Sequence, residues 1–278
     1  MDETGPRGGG GADGGFPATP PSRTIEGTGP ISGLPDGKDP PVSRFRSFVT
    51  TFSLLVTAVL VSACGGGPNT IFDPSGKDFG AIRFVNASPN APGLDAAING
   101  NVFEQDLVYA EASSYIPIRT GTPYAEFRRT GTDQVLAETE IGVAKKGNFT
   151  LFAVDPASSM GTLYLSDDYE APEQGNIRVR FVHAAPGAGD VDIYVTAPGA
   201  SLAGAEPTVT DLPYLGSSGY LEAPAGTYQV RICPAGTKTV AIDSGPVGTT
   251  AGQVISAVAL GDPGVGVPFG AILLQDRE

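Results

Sequence analysis

From residue 79 onward, apolar and polar positions alternate with a period of two, in short runs set between Gly, Pro and Asp. In Gly226–Ile232, Thr227, Gln229 and Arg231 alternate with Tyr228, Val230 and Ile232. Asn148–Val154 places Phe149, Leu151 and Ala153 on one face and Thr150, Phe152 and Val154 on the other. Successive side chains of a strand point to opposite faces, so this pattern predicts half-buried strands. The runs recur about every ten residues between turn signals, the spacing of an antiparallel sandwich of about seven strands. Strands are predicted near 81–87, 94–99, 113–119, 123–129, 134–141, 147–154 and 162–167. A second set is predicted near 177–184, 191–196, 208–212, 218–223, 226–233, 238–243, 253–260 and 269–275. No helix-period segment of about ten residues occurs here; only Asn101–Tyr109 and its counterpart read as a helical turn.

The second set repeats the first. Ile82-Arg83-Phe84-Val85-Asn86-Ala87-Ser88-Pro89 matches Val179-Arg180-Phe181-Val182-His183-Ala184-Ala185-Pro186. Leu94–Ile98 then matches Val191–Val195, and Ser113-Ser114-Tyr115-Ile116 matches Ser218-Gly219-Tyr220-Leu221 after about eight extra residues in the second copy. Gly131-Thr132 matches Gly236-Thr237. The chain therefore reads as two tandem modules, 79–170 and 175–277, joined by the polar linker Glu170–Gly175. Each is long enough to enclose its own core. The fold class is all-β, two antiparallel β-sandwiches of immunoglobulin-like or transthyretin-like kind. At Pro224-Ala225-Gly226-Thr227-Tyr228 a proline–glycine turn feeds a strand, with Gly226 expected at positive φ.

A different pattern precedes the modules. Arg44 and Arg46 lead into an uncharged run of about 17 residues, Ser47–Ala63, which ends Val61-Ser62-Ala63-Cys64. A positive flank, an apolar stretch and small residues before a cysteine make up a lipoprotein export signal, with cleavage between Ala63 and Cys64 and lipidation of Cys64. Small residues let the chain lie extended in the peptidase, and the cysteine thiol carries the lipid. Several acyl chains, each contributing ~0.8 kcal/mol per buried CH₂, anchor a protein firmly. The alternative is a transmembrane helix, but the run is at the short end of the spanning range and Gly65-Gly66-Gly67-Pro68 follows it directly. Residues 43–63 are thus a signal helix and 64–78 a flexible tether. Residues 1–42, rich in Gly and Pro, read as a disordered leader, untranslated if synthesis begins near Val42.

Net charge is −13, with no basic cluster, which argues against nucleic acid as a partner. With Cys64 committed to lipid, Cys233 lacks a disulfide partner and reads as a small buried hydrophobe.

His183 is the only histidine. A hydrolase would use it with Asp190 or Asp192, and with Ser217 or Ser218 as nucleophile, but no G-x-S-x-G elbow occurs. The plainer expectation is that His183 ends a strand and bonds the backbone of the Ala184–Gly189 loop. Asp167-Asp168 and Asp190/Asp192 are acidic pairs that raise calcium, yet neither belongs to a D-x-D-x-D-G loop, and they read as solvated strand-end acids. No metal and no cofactor is expected, one histidine and one free cysteine being too few for zinc. Asp95 and Asp192, at matched positions, are expected to tie the strand edge to the Ala-x-Pro loop. Tyr109, Tyr115, Tyr214 and Tyr220 recur in both copies and read as core residues.

The run (V/I)-R-F-V-(H/N)-A-x-P, then L/V-D, S-x-Y-(L/I) and P-A-G-T-Y, resembles the bacterial family catalogued as domain of unknown function 4397. The first copy departs from it at Asn86 and at Arg119–Pro123. The resemblance implies tandem β-sandwiches, exported or lipid-anchored, with no known activity. Gly65, in place of the aspartate that retains lipoproteins in an inner membrane, implies an outer-membrane address in a Gram-negative host.

These readings converge on a cell-envelope lipoprotein, anchored to the membrane by lipid, with a non-catalytic binding or structural role toward a carbohydrate or an envelope protein. The alternatives are a hydrolase, which His183→Ala would silence, and an inert surface spacer, sensitive to length but not to loop substitutions.

Overall fold

The computed structural model describes residues 78–167 and 170–277. The expectations for residues 1–77, including the signal, Ala63 and Cys64, lie outside the described residues.

The first module contains β1 (Phe79–Asn86), β2 (Leu94–Ile98), β3 (Asn101–Leu107), β4 (Ile116–Arg119), β5 (Tyr124–Arg129), β6 (Val135–Glu140), β7 (Asn148–Val154) and β8 (Gly161–Asp167). The second contains β9 (Asn176–His183), β10 (Val191–Thr196), β11 (Val209–Leu212), β12 (Ser217–Pro224), β13 (Thr227–Pro234), β14 (Ile242–Gly248), β15 (Val254–Asp262) and β16 (Val267–Gln275). Each module is a pair of four-stranded sheets, β4-β1-β7-β8 with β3-β2-β5-β6 and β12-β9-β15-β16 with β11-β10-β13-β14. The sandwiches are antiparallel as expected except for one parallel pair in each, β1 with β7 and β9 with β15.

Three stacked cores make four layers. Ile82, Phe84, Phe127 and Leu151 fill the first sandwich, and Phe181, Ile193 and Ile232 the second. Between them, Val85, Phe152 and Val154 of the first module meet Val182, Val258, Leu260 and Leu274 of the second. The sheets containing β1 and β9 are therefore covered on both faces. This explains why β1 reads as a nearly continuous apolar run rather than a clean alternation. The described residues all belong to one compact unit.

Three local expectations are corrected. Asn101–Leu107 is strand β3, not a helical turn, because Asn99 (φ 46°) and Gly100 (φ 79°) form a two-residue hairpin turn from β2. The predicted strand at 238–243 begins only at Ile242, because the chain first turns at Gly236 (φ 72°). Gly226 is not in the left-handed region. Pro224–Tyr228 is a corner from one sheet of the second module to the other, held by a Tyr228 hydroxyl donating to the Pro224 carbonyl at 2.6 Å.

The extra residues of the second copy fall between β10 and β11. There Leu202 and Ala205 cover Tyr194 and Cys233, and Lys238 Nζ donates to the Ala203 and Ala205 carbonyls at 3.1 and 2.8 Å. Cys233 is free and fully buried.

Candidate functional site

The residues that recur in both copies are engaged by the fold. His183, at the end of β9, is buried. Its Nε2 donates to the Gly189 carbonyl at 2.7 Å, and its Nδ1 accepts from the Ala185 N–H at 3.3 Å. Both ring nitrogens thus bind the backbone of the Ala184–Gly189 loop. Burial lowers the His183 pKa, against the Gly189 bond and the Asp190 charge. Asn86, at the matched position, likewise accepts from the Ser88 N–H at 3.2 Å, but it donates to the Leu107 carbonyl at the end of β3, at 2.9 Å, rather than to the loop.

Asp190 is exposed and stands before β10. Asp192 is buried and accepts from Asp211 N–H and Gly236 N–H, both at 2.9 Å. Asp95 does the same with Asp106 N–H at 3.0 Å and Gly131 N–H at 2.9 Å. Each carboxylate therefore holds a neighbouring strand and the Gly-Thr turn, rather than the Ala-x-Pro loop. Ser218 Oγ accepts from Phe181 N–H at 3.0 Å and donates to the Gly219 carbonyl at 2.7 Å, as Ser113 does for Phe84 and Ser114. His183, Asp192 and Ser218 are not joined to one another by hydrogen bonds. Among the described residues, no three His, Cys, Asp or Glu side chains stand close enough to share a metal ion.

Asp167 is buried, not solvated. It belongs to a polar cluster between the modules that sequence reasoning missed. Arg83 Nη2 donates to Asp276 Oδ1 at 2.6 Å, and Arg180 Nη2 to Asp167 Oδ1 at 2.6 Å. Asp167 Oδ2 also accepts from Thr150 at 2.6 Å and Tyr115 at 2.8 Å. Asp276 Oδ2 accepts from Ser256 at 2.6 Å and Tyr220 at 2.7 Å. Each guanidinium lies 4.7 Å from the centre of a tyrosine ring, Arg83 over Tyr115 and Arg180 over Tyr220. The signal was present in the repeat, a charged residue at the same place in two otherwise apolar strands. Tyr214 adds a separate bond between modules, its hydroxyl donating to Asp155 Oδ1 at 2.7 Å.

The modules differ in how their sandwiches close. Registers with β1 and β9 place Phe149 opposite Ile82 and Ile255 opposite Val179, so Phe149 and Ile255 are equivalent, as are Leu151 and Ala257. Tyr164 pairs with Leu151 and Leu273 with Ala257, which makes Tyr164 and Leu273 equivalent. In the first module Tyr164 stacks on Phe149 at 5.3 Å, and its hydroxyl reaches the Gly142 carbonyl at 2.8 Å. In the second, smaller side chains leave a cavity of about 400 Å³ lined by Val179, Val230, Ile255, Ala257, Phe269 and Leu273. Leu273, at its edge, is 53% exposed.

Residues 80–194 match the family described as Domain of unknown function (DUF4397). The DUF4397 match begins in β1 and ends in β10, taking in the first module and the opening of the second. It agrees with the resemblance drawn from the motifs; the tandem organisation rests on the internal repeat and the two modules. No curated protein matches the sequence. Solved structures with some similarity include a streptococcal virulence factor described as binding α-glucan (11% identity, 64% of this chain, 92% of that chain, TM-score 0.25). Others are a family 41 carbohydrate-binding module from streptococcal virulence factors (11% identity, 64% and 93%, TM-score 0.23) and the Bacillus anthracis TIE protein (8% identity, 70% and 34%, TM-score 0.22).

Proposed function

We propose that this chain is a lipid-anchored protein of the bacterial cell envelope, at the outer membrane in a Gram-negative host, with a non-catalytic binding or structural role. The observation that carries the non-catalytic part is the occupation of His183. An imidazole whose two nitrogens both bind backbone has neither a free lone pair to take a proton nor an acid to orient it. The other repeated polar residues are likewise committed to backbone or to the cluster between modules. Such a body, stiff and double, suits the presentation of loops and sheet edges to a carbohydrate or an envelope protein.

The anchor and the role are tested separately. Intact-mass analysis of the protein from native membranes is expected to show a mature chain beginning at acylated Cys64. Residues 1–63 found attached to an unmodified Cys64 would sink the anchor. A screen of esterase, glycosidase and peptidase substrates is expected to give no turnover; turnover that His183→Ala abolishes while the fold persists would make the protein a hydrolase.

A further inference from the structure

The cavity of the second module goes with smaller side chains at three positions matched between the modules. Its β15 and β16 walls occupy the same register positions as β7 and β8 in the packed core of the first module. Where the first module has the stacked Phe149 and Tyr164 with Leu151, the second has Ile255, Leu273 and Ala257. Interiors are normally packed as densely as organic crystals, so a void of this size is uncommon in a small domain. Its volume of about 400 Å³ falls within the roughly 300–1,000 Å³ range of small-molecule sites and exceeds the ~150 Å³ apolar cavity that takes up benzene.

The lining sets the chemistry. Val179, Phe181, Val230, Ala257 and Phe269 offer no hydrogen bonds from their side chains, and no Lys, Arg or His side chain lines the cavity. The polar groups are Tyr228, Asp243, Ser244 and Thr249. Asp243 is exposed and accepts from Gln229 Nε2 at 2.7 and 2.9 Å and from Gly245 N–H at 2.9 Å. A carboxylate held there, on a chain of net charge −13, repels an anionic head group. Leu273, more than half exposed at the edge, extends the apolar wall outward.

We propose that this cavity is a binding site for an uncharged alkyl or acyl chain, which enters between β14 and β16 and packs on Ala257 and Phe269. The inference rests on the non-catalytic binding reading above and gives it a ligand class.

The test titrates the full chain with the uncharged fluorophore N-phenyl-1-naphthylamine, followed by competition with 1-decanol, decylamine and decanoate. The comparison protein is Ile255→Phe/Ala257→Leu/Leu273→Tyr, which gives the second module the residues of the first. Ala257→Leu alone serves if the triple variant does not fold, and circular dichroism melts establish folding of each. The expected result is saturable one-to-one binding, at least tenfold weaker in the filled variant, with decanol displacing the probe at least tenfold better than decanoate. Because the apolar stretch at 47–63 is common to all proteins compared, its contribution cancels. Equal binding in wild type and folded filled variants, no saturable binding in wild type, or preference for decanoate each overturns the proposal. None of these outcomes produces turnover, which alone would overturn the non-catalytic reading.

Discussion

Arg83 of the first module and Asp276 of the second form a buried ion pair at 2.6 Å, 193 residues apart in the chain. Its repeat-related twin, Arg180 with Asp167, has the same length in the opposite sense. Each arginine thus reaches across to a carboxylate of the other copy, while Thr150 and Tyr115 or Ser256 and Tyr220 satisfy the remaining acceptor oxygen. Arg83 Nη1 and Arg180 Nη1 complete the pattern on the Gln275 and Ser166 carbonyls, both at 2.9 Å. Buried charges are tolerated when paired and hydrogen-bonded in this way. The arrangement makes each module the counter-ion of its neighbour.

Removing one partner leaves the other buried and uncompensated. Asp276→Ala and Arg83→Ala are each expected to destabilise the protein by about 3–5 kcal/mol. The double variant should cost less than the sum, since residues in one network do not add. Urea unfolding followed by both tyrosine fluorescence and far-ultraviolet circular dichroism checks this. One coincident transition is expected, because the shared core ties both modules together; two separated transitions would show that the modules unfold independently.

Asp95 and Asp192 give a second test inside each module. Each accepts two backbone N–H bonds, one from a neighbouring strand and one from the Gly-Thr turn. Hydrogen bonds to a charged group contribute about 1.5–3 kcal/mol. Asp95→Ala and Asp192→Ala should therefore destabilise by at least that amount, with Asn less costly since it keeps one acceptor. Midpoints of chemical denaturation measure the difference, and equal values for Ala and Asn would show that acceptance by the carboxylate is not what matters.

Much of this architecture was legible from the residues. Strict alternation located most strands, and the internal repeat located the modules. Exceptions have physical causes. β3 was missed because Val102, Phe103 and Leu107 are spaced irregularly among polar residues, although Asn99-Gly100 is a strong hairpin signal. The stacking of modules was hidden because β1 and β9 bury both faces, and a lone arginine in an apolar run says only that a partner exists. Asp167 ends β8 and Asp276 directly follows β16, but nothing local indicates that each serves the other copy. The cavity was hidden for another reason. It appears only when Phe149, Leu151 and Tyr164 are set against Ile255, Ala257 and Leu273, and that alignment needs the strand registers.

Four part-buried tyrosines, two of them in the cluster, predict behaviour in alkali. Burial and the neighbouring carboxylates push the Tyr115 hydroxyl far above its usual value, and Tyr164, Tyr214 and Tyr220 are raised as well, each chiefly by burial. A tyrosine whose folded pKa is raised contributes stability below its unfolded pKa of about 10, and that contribution is lost as pH rises further. Absorbance at 295 nm is expected to show these four hydroxyls ionising together with unfolding, in one steep step. Tyr115→Phe and Tyr220→Phe should each remove part of that step. Gradual titration near pH 10 with the fold intact would show that the tyrosines are accessible.

His183 makes the opposite prediction on the acid side, with the first module as its control. Burial holds the folded pKa below the ordinary value, so the neutral ring with Nε2 protonated is the form that fits between Gly189 and Ala185. Unfolding releases the ring to its ordinary pKa of about 6.5. Its contribution to stability is therefore fully present above about pH 6.5 and declines as pH falls from there through the lowered folded pKa. Asn86 occupies the equivalent place with an amide that does not titrate, accepting from the Ser88 N–H as His183 does from Ala185 and donating to the Leu107 carbonyl. His183→Asn should then fold with a modest loss at pH 7.5 and a shallower fall in stability between pH 6.5 and 5. Denaturation midpoints of the two proteins across that range measure the difference. Parallel curves would mean that His183 does not titrate on unfolding, and that the acid sensitivity of the fold lies with its carboxylates.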